Sequence, residues 1–353
     1  MRYYLERMSD EKPTRYIVFG AGAIGCVIAG LLTRAGLRVA CVARPAYAKA
    51  LTDGIVIKEN NEESTLRANA VTSVNDLSPE PGDIAMITTK SQATEFAVEE
   101  LYRRYGEKLR VVCLQNGVRN EEIAARRFEQ IYAGLVFFSA VQLEPSVITL
   151  PQGRTVAIGC YPDGLDGMAR GISDDLKQAG FDAIASQYVM SMKWGKLVAN
   201  LNNAVCAITG FWLEQATADP ETRRLMVEVR EEGLRVLDAA GIEVEPPEGE
   251  PSPIRIREMT KKLKQPSKRE GSIEDLPEAQ RTYASTWQDL RLGRKTGEAH
   301  FLNGEIVALG ERLGMPTPYN STLLTTIDRM FEERLAPGIY SPRELRQLIA
   351  ESR

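Results

Sequence analysis

Histidine is almost absent from this chain of 353 residues: His300 is the only one, so a histidine–acid couple for proton transfer has one possible location. Cysteine is sparse as well. Cys26, Cys41, Cys113, Cys160 and Cys206 are odd in number and widely spaced, with no C-x-x-C pair. That pattern disfavours a disulfide framework or a zinc site and fits buried free thiols in a reducing compartment. No secretory signal is visible, because Met1–Thr14 is polar and charged. No uninterrupted apolar run is long enough for a membrane span. The most apolar stretch, Tyr16–Leu32, is broken by Gly20, Gly22, Gly25 and Gly30 and divides into a strand and a helix. Excess charge is lacking too: the net charge is −4, with Lys and Arg spread along the chain, which excludes a general affinity for nucleic acid. What remains is 43% hydrophobic and 26% charged, the composition of a soluble, cytoplasmic globular protein long enough for two domains.

The first half reads as a β–turn–α–β unit. Arg15–Phe19 is a short buried strand, Gly20–Gly25 a glycine turn, Cys26–Ala35 a small-residue helix stopped by Gly36, and Leu37–Ala43 the next strand. Strands are predicted at Ile84–Thr88, Arg110–Leu114, Ile131–Phe138 and Thr155–Ile158, and helices at Thr94–Tyr105 and Asn120–Phe128, with another closing at Leu176–Gly180. This alternation predicts a doubly wound parallel sheet. From about Tyr188 long helical patterns take over, at Tyr188–Thr209, Pro220–Ala240 and Glu298–Leu313. The expected division is therefore residues 1–186 and 187–353. Glu243–Pro277, rich in Pro, Glu, Lys and Ser, reads as a surface excursion whose basic core, Lys261-Lys262-Leu263-Lys264, is either a solvated face or a contact for an anionic partner.

Gly20-Ala21-Gly22-Ala23-Ile24-Gly25 matches G-x-G-x-x-G. In that motif the first glycine permits the turn, the second lets the backbone approach a pyrophosphate, and the third allows close helix–strand packing, while the helix N-terminus faces the phosphate oxygens. Alone the pattern is weak; between a strand and a helix–strand pair it points to a dinucleotide. Where NAD-specific sites carry an acid for the ribose 2′-hydroxyl, this chain has Arg44, 19 residues after Gly25. A guanidinium there suits a 2′-phosphate, so NADP(H) is the expected cofactor.

Ketone reduction with such a cofactor needs a proton donor for the developing alkoxide. His300, a Tyr or a Lys could serve. On Tyr188–Thr209 the apolar Trp194, Leu197, Val198, Leu201, Val205 and Ile208 fall on one side of a helical wheel, and Lys193, Lys196, Asn200 and Asn203 on the other. That polar stripe is either an outward wet face or a set of donors for an anionic substrate.

The set Gly20–Gly25, Thr89-Lys90, Gln115-Asn116-Gly117, Trp194-Gly-Lys196-Leu-Val-Ala-Asn200 and Asn303-Gly304 resembles, in order, the ketopantoate reductase family over roughly residues 15–330. The resemblance implies an N-terminal Rossmann domain, a C-terminal all-helical substrate and dimerisation domain, an active site between them, and a homodimer. It maps the general acid onto Lys196 and the glutamate that supports it onto Glu298. Substrate contacts map onto Asn200 and Ser285, and Lys90 and Asn116 onto strand ends beside the nicotinamide. Asn116 and Asn203 join the candidate substrate contacts. An unperturbed lysine, with pKa about 10.4, holds its proton at neutral pH; partial burial would lower that value while a nearby carboxylate opposes the shift.

The chain departs from the family pattern in places. The asparagine usual eight residues after the lysine is replaced by Ala204, with Asn203 one step earlier, about 100° away on a helix. Lys295-Thr296-Gly297-Glu298 carries one extra residue, and His300 stands where an Asp is usual. Phe137–Val141 lacks the usual small residues, and the Glu243–Pro277 segment is long. The expectation is an NADPH-dependent reductase of a small 2-oxo acid, with ketopantoate first and pantoate its product. The alternatives are a paralogue acting on another 2-oxo acid and a non-catalytic NADP-binding sensor.

Overall fold

The structure, a computed structural model, describes residues 15–59, 62–150, 153–266, 273, 276–277 and 281–352. Met1–Thr14, read above for a signal peptide, and parts of the Glu243–Pro277 segment lie outside the described residues. The chain forms two compact units, Met1–Met192 with Pro246–Pro253, and Lys193–Glu245 with Ile254–Arg353.

The first unit opens with β1 (Arg15–Phe19), α1 (Ala23–Arg34), β2 (Val39–Val42), α2 (Pro45–Asp53), β3 (Ile55–Glu59), β4 (Glu62–Leu66) and β5 (Asn69–Val71). It continues with β6 (Asp83–Ile87), α3 (Thr94–Tyr105), β7 (Arg110–Cys113), α4 (Asn120–Ala125) and β8 (Ile131–Phe137). It closes with β9 (Val141–Glu144), β10 (Val147–Leu150), β11 (Thr155–Cys160), α5 (Gly167–Gln178) and β12 (Asp182–Ala185). The main sheet has the order β12-β11-β8-β7-β6-β1-β2-β5, parallel except where β11 meets β8. Apolar runs such as YIVF in β1 and IAMI in β6 make these strands because both faces are covered, as a parallel sheet requires. Along β1 the side chains alternate between two cores. Tyr16 and Val18 join Ile28 and Leu32 of α1 and Leu176 of α5, whereas Ile17 joins Val98 and Leu101 of α3. Four of the five cysteines are buried, and Cys160 is partly exposed.

The sheet reverses its strand order between β1 and β6, the switch point where open α/β sheets bind ligands. A second sheet, β4-β3-β10-β9, was not predicted from sequence. Its strands are short, and β4 reads Glu-Glu-Ser-Thr-Leu with four exposed residues, which carries no apolar signal.

The second unit is helical. It takes up α6 (Val189–Asn200) from Lys193 onward, then α7 (Asn202–Thr209), α8 (Leu213–Ala218), α9 (Pro220–Ala239), α10 (Ile256–Leu263), α11 (Ser285–Arg291), α12 (Asn303–Leu313), α13 (Pro318–Glu332) and α14 (Pro342–Glu351). Two expectations are corrected. The helix predicted over Tyr188–Thr209 is interrupted at Leu201. The one predicted from Glu298 starts instead with a short 3-10 turn, Ala299–Phe301, and becomes α-helical only at Asn303. The basic core of the surface excursion lies on and just after α10, an ordered helix, where Lys262 pairs with Glu258 (2.6 Å) and Lys264 with Glu231 of α9 (2.6 Å). Those lysines already face carboxylates of their own chain. Among the described residues no helix is long and apolar enough to cross a membrane.

Candidate active site

The glycine turn joins β1 to α1 at the switch point. Gly20 has φ +119°, outside the range of ordinary residues, and its N–H donates to the Val42 carbonyl (3.0 Å). The Thr88 hydroxyl, at the end of β6, donates to the Gly20 carbonyl (2.6 Å) and ties the turn to the neighbouring strand. A Cβ on Gly25 would stand 1.9 Å from that same carbonyl, so the third glycine is required by backbone contact. A Cβ on Gly22 would meet nothing within 4 Å. The open side of Gly22 and the N-terminus of α1 form one surface. Gly22 caps the helix with no side-chain hydrogen bond, and the first turn carries no acid. Exposed N–H groups, a positive helix end and the missing side chain fit a pyrophosphate, so the residues present suit a dinucleotide. The helix begins at Ala23, within the predicted turn, which puts Ala23 and Ile24 on its first turn and Ala21 just before it.

Arg44 is exposed directly after the buried Ala43, whose N–H donates to Val71 (2.9 Å). It occupies the N-cap of α2, and its guanidinium lies over the Tyr47 ring, 4.8 Å from the centroid. Tyr47 was not singled out from sequence, although Arg-x-x-Tyr at a helix start puts the two a turn apart. The stacking orients the guanidinium and leaves its N–H edge available.

Lys90 and Asn116 follow β6 and β7, and a polar network holds their loops together. Ser91 Oγ and Asn120 Nδ2 both donate to the Asn116 carbonyl (2.8 and 2.7 Å). Thr94 Oγ1 donates to Asn120 Oδ1 (2.7 Å) and accepts from Gln115 Nε2 (2.8 Å). Ser91, Thr94, Gln115 and Asn120 are buried. They were missed as site residues because they support a loop, and no sequence spacing marks that job.

In the helical unit, Lys196 lies one turn before Asn200 on α6 and is partly buried. Burial pulls its pKa down to about 8; Lys193 acts in the same direction, and Glu298 opposes both. Glu298, at the start of the 3-10 turn, is 3% exposed. Lys193 is also 3% exposed, so the polar stripe is not a solvated outer face. Asn203 Nδ2 donates to Ser285 Oγ (3.2 Å), which brings two predicted substrate contacts together, whereas Ala204 is buried. His300 is set apart: its side chain is 65% exposed and its Nε2 sits 3.0 Å from Asp328. A solvated surface pair of this kind offers no enclosed site for catalytic proton transfer.

Comparison with known proteins agrees with this fold. Residues 16–163 match the family described as ketopantoate reductase PanE/ApbA, and residues 188–330 match its C-terminal domain. A 2-dehydropantoate 2-reductase of Archaeoglobus fulgidus is 29% identical over 317 residues, which cover 89% of this chain and 96% of the relative. The crystal structure of a PanE/ApbA family ketopantoate reductase from Ralstonia eutropha JMP134 superposes with a TM-score of 0.73 at 25% identity, covering 91% of this chain and 99% of that one. The ternary structure of D-mandelate dehydrogenase with NADH and anilino(oxo)acetate shares the fold, with a TM-score of 0.75 at 20% identity and coverage of 91% and 99%. With both halves matched in order, and with a glycine turn in one unit and a partly buried lysine near a buried glutamate in the other, the chain belongs to the ketopantoate reductase family of oxidoreductases.

Proposed function

We propose that this protein reduces 2-dehydropantoate (ketopantoate) to pantoate with NADPH, as a cytoplasmic homodimer, the first unit binding the dinucleotide and the second the substrate. The observation that carries the reading is Lys196, an ammonium brought to a pKa of about 8 by burial beside a buried carboxylate. A general acid works best with its pKa near the working pH. NADPH, when bound, supplies the hydride. The chain's own residues do the rest. The glycine turn and the α1 N-terminus receive the pyrophosphate, through Gly20, Gly22 and Gly25 with Ala21, Ala23 and Ile24, and Arg44 pairs with the 2′-phosphate. Lys90 and Asn116 border the nicotinamide end. Lys196 Nζ gives its proton to the ketone oxygen as that oxygen gains charge, and the amine is then reprotonated from solvent. Its positive charge stabilises the forming alkoxide before transfer, and Glu298 orients the ammonium. Asn116, Asn200, Asn203 and Ser285 hold the substrate's oxygens.

A second reading within the same chemistry is reduction of a different 2-oxo acid. It rests on the Asn203–Ser285 contact, made one position away from the asparagine that the family pattern leads one to expect. One experiment decides. NADPH loss is followed by absorbance across a panel of 2-oxo acids that includes ketopantoate, with NADH as control. Preference for ketopantoate supports the first reading, and preference for another member replaces it with the second. NADPH binding with no turnover on any member would make the protein a sensor and sink both.

Arg44→Ala is expected to weaken NADPH binding about tenfold or more while NADH binding stays within about twofold, because a charge-assisted contact of about 1.5–3 kcal/mol serves only the 2′-phosphate. Titration of both cofactors by fluorescence checks this; equal losses would remove Arg44 from the 2′-phosphate site.

A further inference from the structure

The break at Leu201 is answered by two buried side chains from other helices. Arg230 of α9, 8% exposed, donates from Nη2 to the Ala199 carbonyl (3.3 Å). With its amide oriented by its partners, Asn202 accepts from Arg230 Nε (2.9 Å) and donates to the Met226 carbonyl (3.2 Å). Asn303, the first residue of α12 and 1% exposed, donates from Nδ2 to the Leu201 carbonyl (3.2 Å) and to Asn320 Oδ1 (2.9 Å). Asn320 in turn donates to Glu232 Oε1 (2.8 Å), and the Glu232 carboxylate accepts the backbone N–H groups of Tyr319 and Asn320 (3.1 and 2.8 Å) at the start of α13. A buried polar chain therefore runs from the break to the N-terminus of a third helix. Leu201 itself keeps helical dihedrals (φ −53°, ψ −32°) and its N–H still donates to the Leu197 carbonyl (3.0 Å), so the break is one residue long and these side chains hold it from outside the helix; a satisfied buried network has one geometry.

We propose that Arg230 and Asn303 are positioning residues: by holding the Ala199 and Leu201 carbonyls they fix where α6, which carries Lys196 and Asn200, passes into α7, which carries Asn203. The proposal rests on the reading of Lys196 as proton donor. It also gives Asn303-Gly304 a physical role, since Asn303 follows Glu298 by five residues and locks the other end of the same segment to the break. Burial pulls the pKa of Arg230 down to about 10, so its charge is kept at a cost that a purely apolar packing residue would avoid.

The test uses the full chain and three variants, Asn303→Ala, Arg230→Met and Arg230→Lys. Measured are kcat and KM with ketopantoate (or the panel member turned over fastest), the NADPH Kd, and hydrogen exchange of the amides of residues 199–205. Expected are a fall in kcat of about tenfold or more for Asn303→Ala and Arg230→Met, an NADPH Kd within about twofold, faster exchange confined to 199–205, and partial recovery of kcat in Arg230→Lys. Should Asn303→Ala fail to fold, the Met and Lys pair at 230 carries the comparison alone. Unchanged kcat with a lowered melting temperature would reduce both residues to fold stabilisers and overturn the proposal, as would unchanged exchange at 199–205. If the unaltered chain turns over no 2-oxo acid, the reading of the function fails, while the exchange measurement still decides whether these side chains hold the break.

Discussion

Lys196→Ala should lower kcat by at least about 100-fold while the NADPH Kd stays within about twofold, the pattern for removal of a general acid. The geometry carries this expectation. Lys196 is partly buried near Glu298 and Lys193, its pKa is drawn down to about 8, and the exposed His300–Asp328 pair provides no substitute. The pH profile supplies the sign. The donor is protonated below pH 8, so kcat of the unaltered enzyme is flat there and falls as pH rises through about 8; that limb should vanish in Lys196→Ala. The same depressed pKa predicts a stability effect of opposite sense. Below about 8 the folded protein holds a charge it has partly desolvated, and this cost disappears as pH climbs to the ordinary lysine value, because the unfolded chain binds the extra proton only within that window. Lys196→Met should therefore melt no lower than the unaltered protein at pH 7, and its advantage should shrink towards pH 10. A variant with unimpaired turnover, or with the basic limb retained, removes Lys196 from proton transfer.

Gly25→Ala and Gly22→Ala are expected to separate folding from cofactor binding. The methyl on residue 25 would stand 1.9 Å from the Gly20 carbonyl and 2.6 Å from Thr88 Oγ1, and the carbonyl is backbone that cannot swing away. The turn must open, at about 1–3 kcal/mol for overpacking, so the melting temperature falls and NADPH binding weakens about 100-fold or more. At residue 22 the methyl meets no protein atom within 4 Å, and φ is −75°, which alanine accepts. Stability should stay within about 1 kcal/mol, yet NADPH binding should weaken about tenfold or more, because the methyl occupies the face offered to the pyrophosphate. Thermal melts with cofactor titrations read both. Unaltered NADPH binding in Gly22→Ala would move the pyrophosphate away from this turn.

How far these residues were legible in the sequence differs between the units. The glycine turn, β1 and the first parallel strands are local: a few consecutive residues contain the apolar run, the turn chemistry and the helix start. Thr94–Tyr105 matches its predicted bounds because Gly106 ends it. Helical periodicity placed Lys193, Lys196, Asn200 and Asn203 on one stripe but left open whether that stripe faced water, since periodicity reports relative direction and not what covers it. The break at Leu201 had no local signal, there being no glycine or proline near it. It is held by Arg230 and Asn303, 29 and 102 residues away. Asn203, a predicted substrate contact one position before the asparagine usual in the family pattern, meets Ser285, and no helical wheel could show that contact between distant segments.

The sequence by itself determined the fold class, the dinucleotide turn and the identities of the charged groups, because each rests on short-range periodicity or on residues adjacent in the chain. Only the tertiary structure decided that Lys193 and Glu298 are buried, that Lys196 is shifted to about 8, that His300 lies on the surface, and that α6 ends at a break locked by Asn303. Burial and electrostatic shift are sums over neighbours from distant parts of the chain, and those neighbours exist only once the helices have packed.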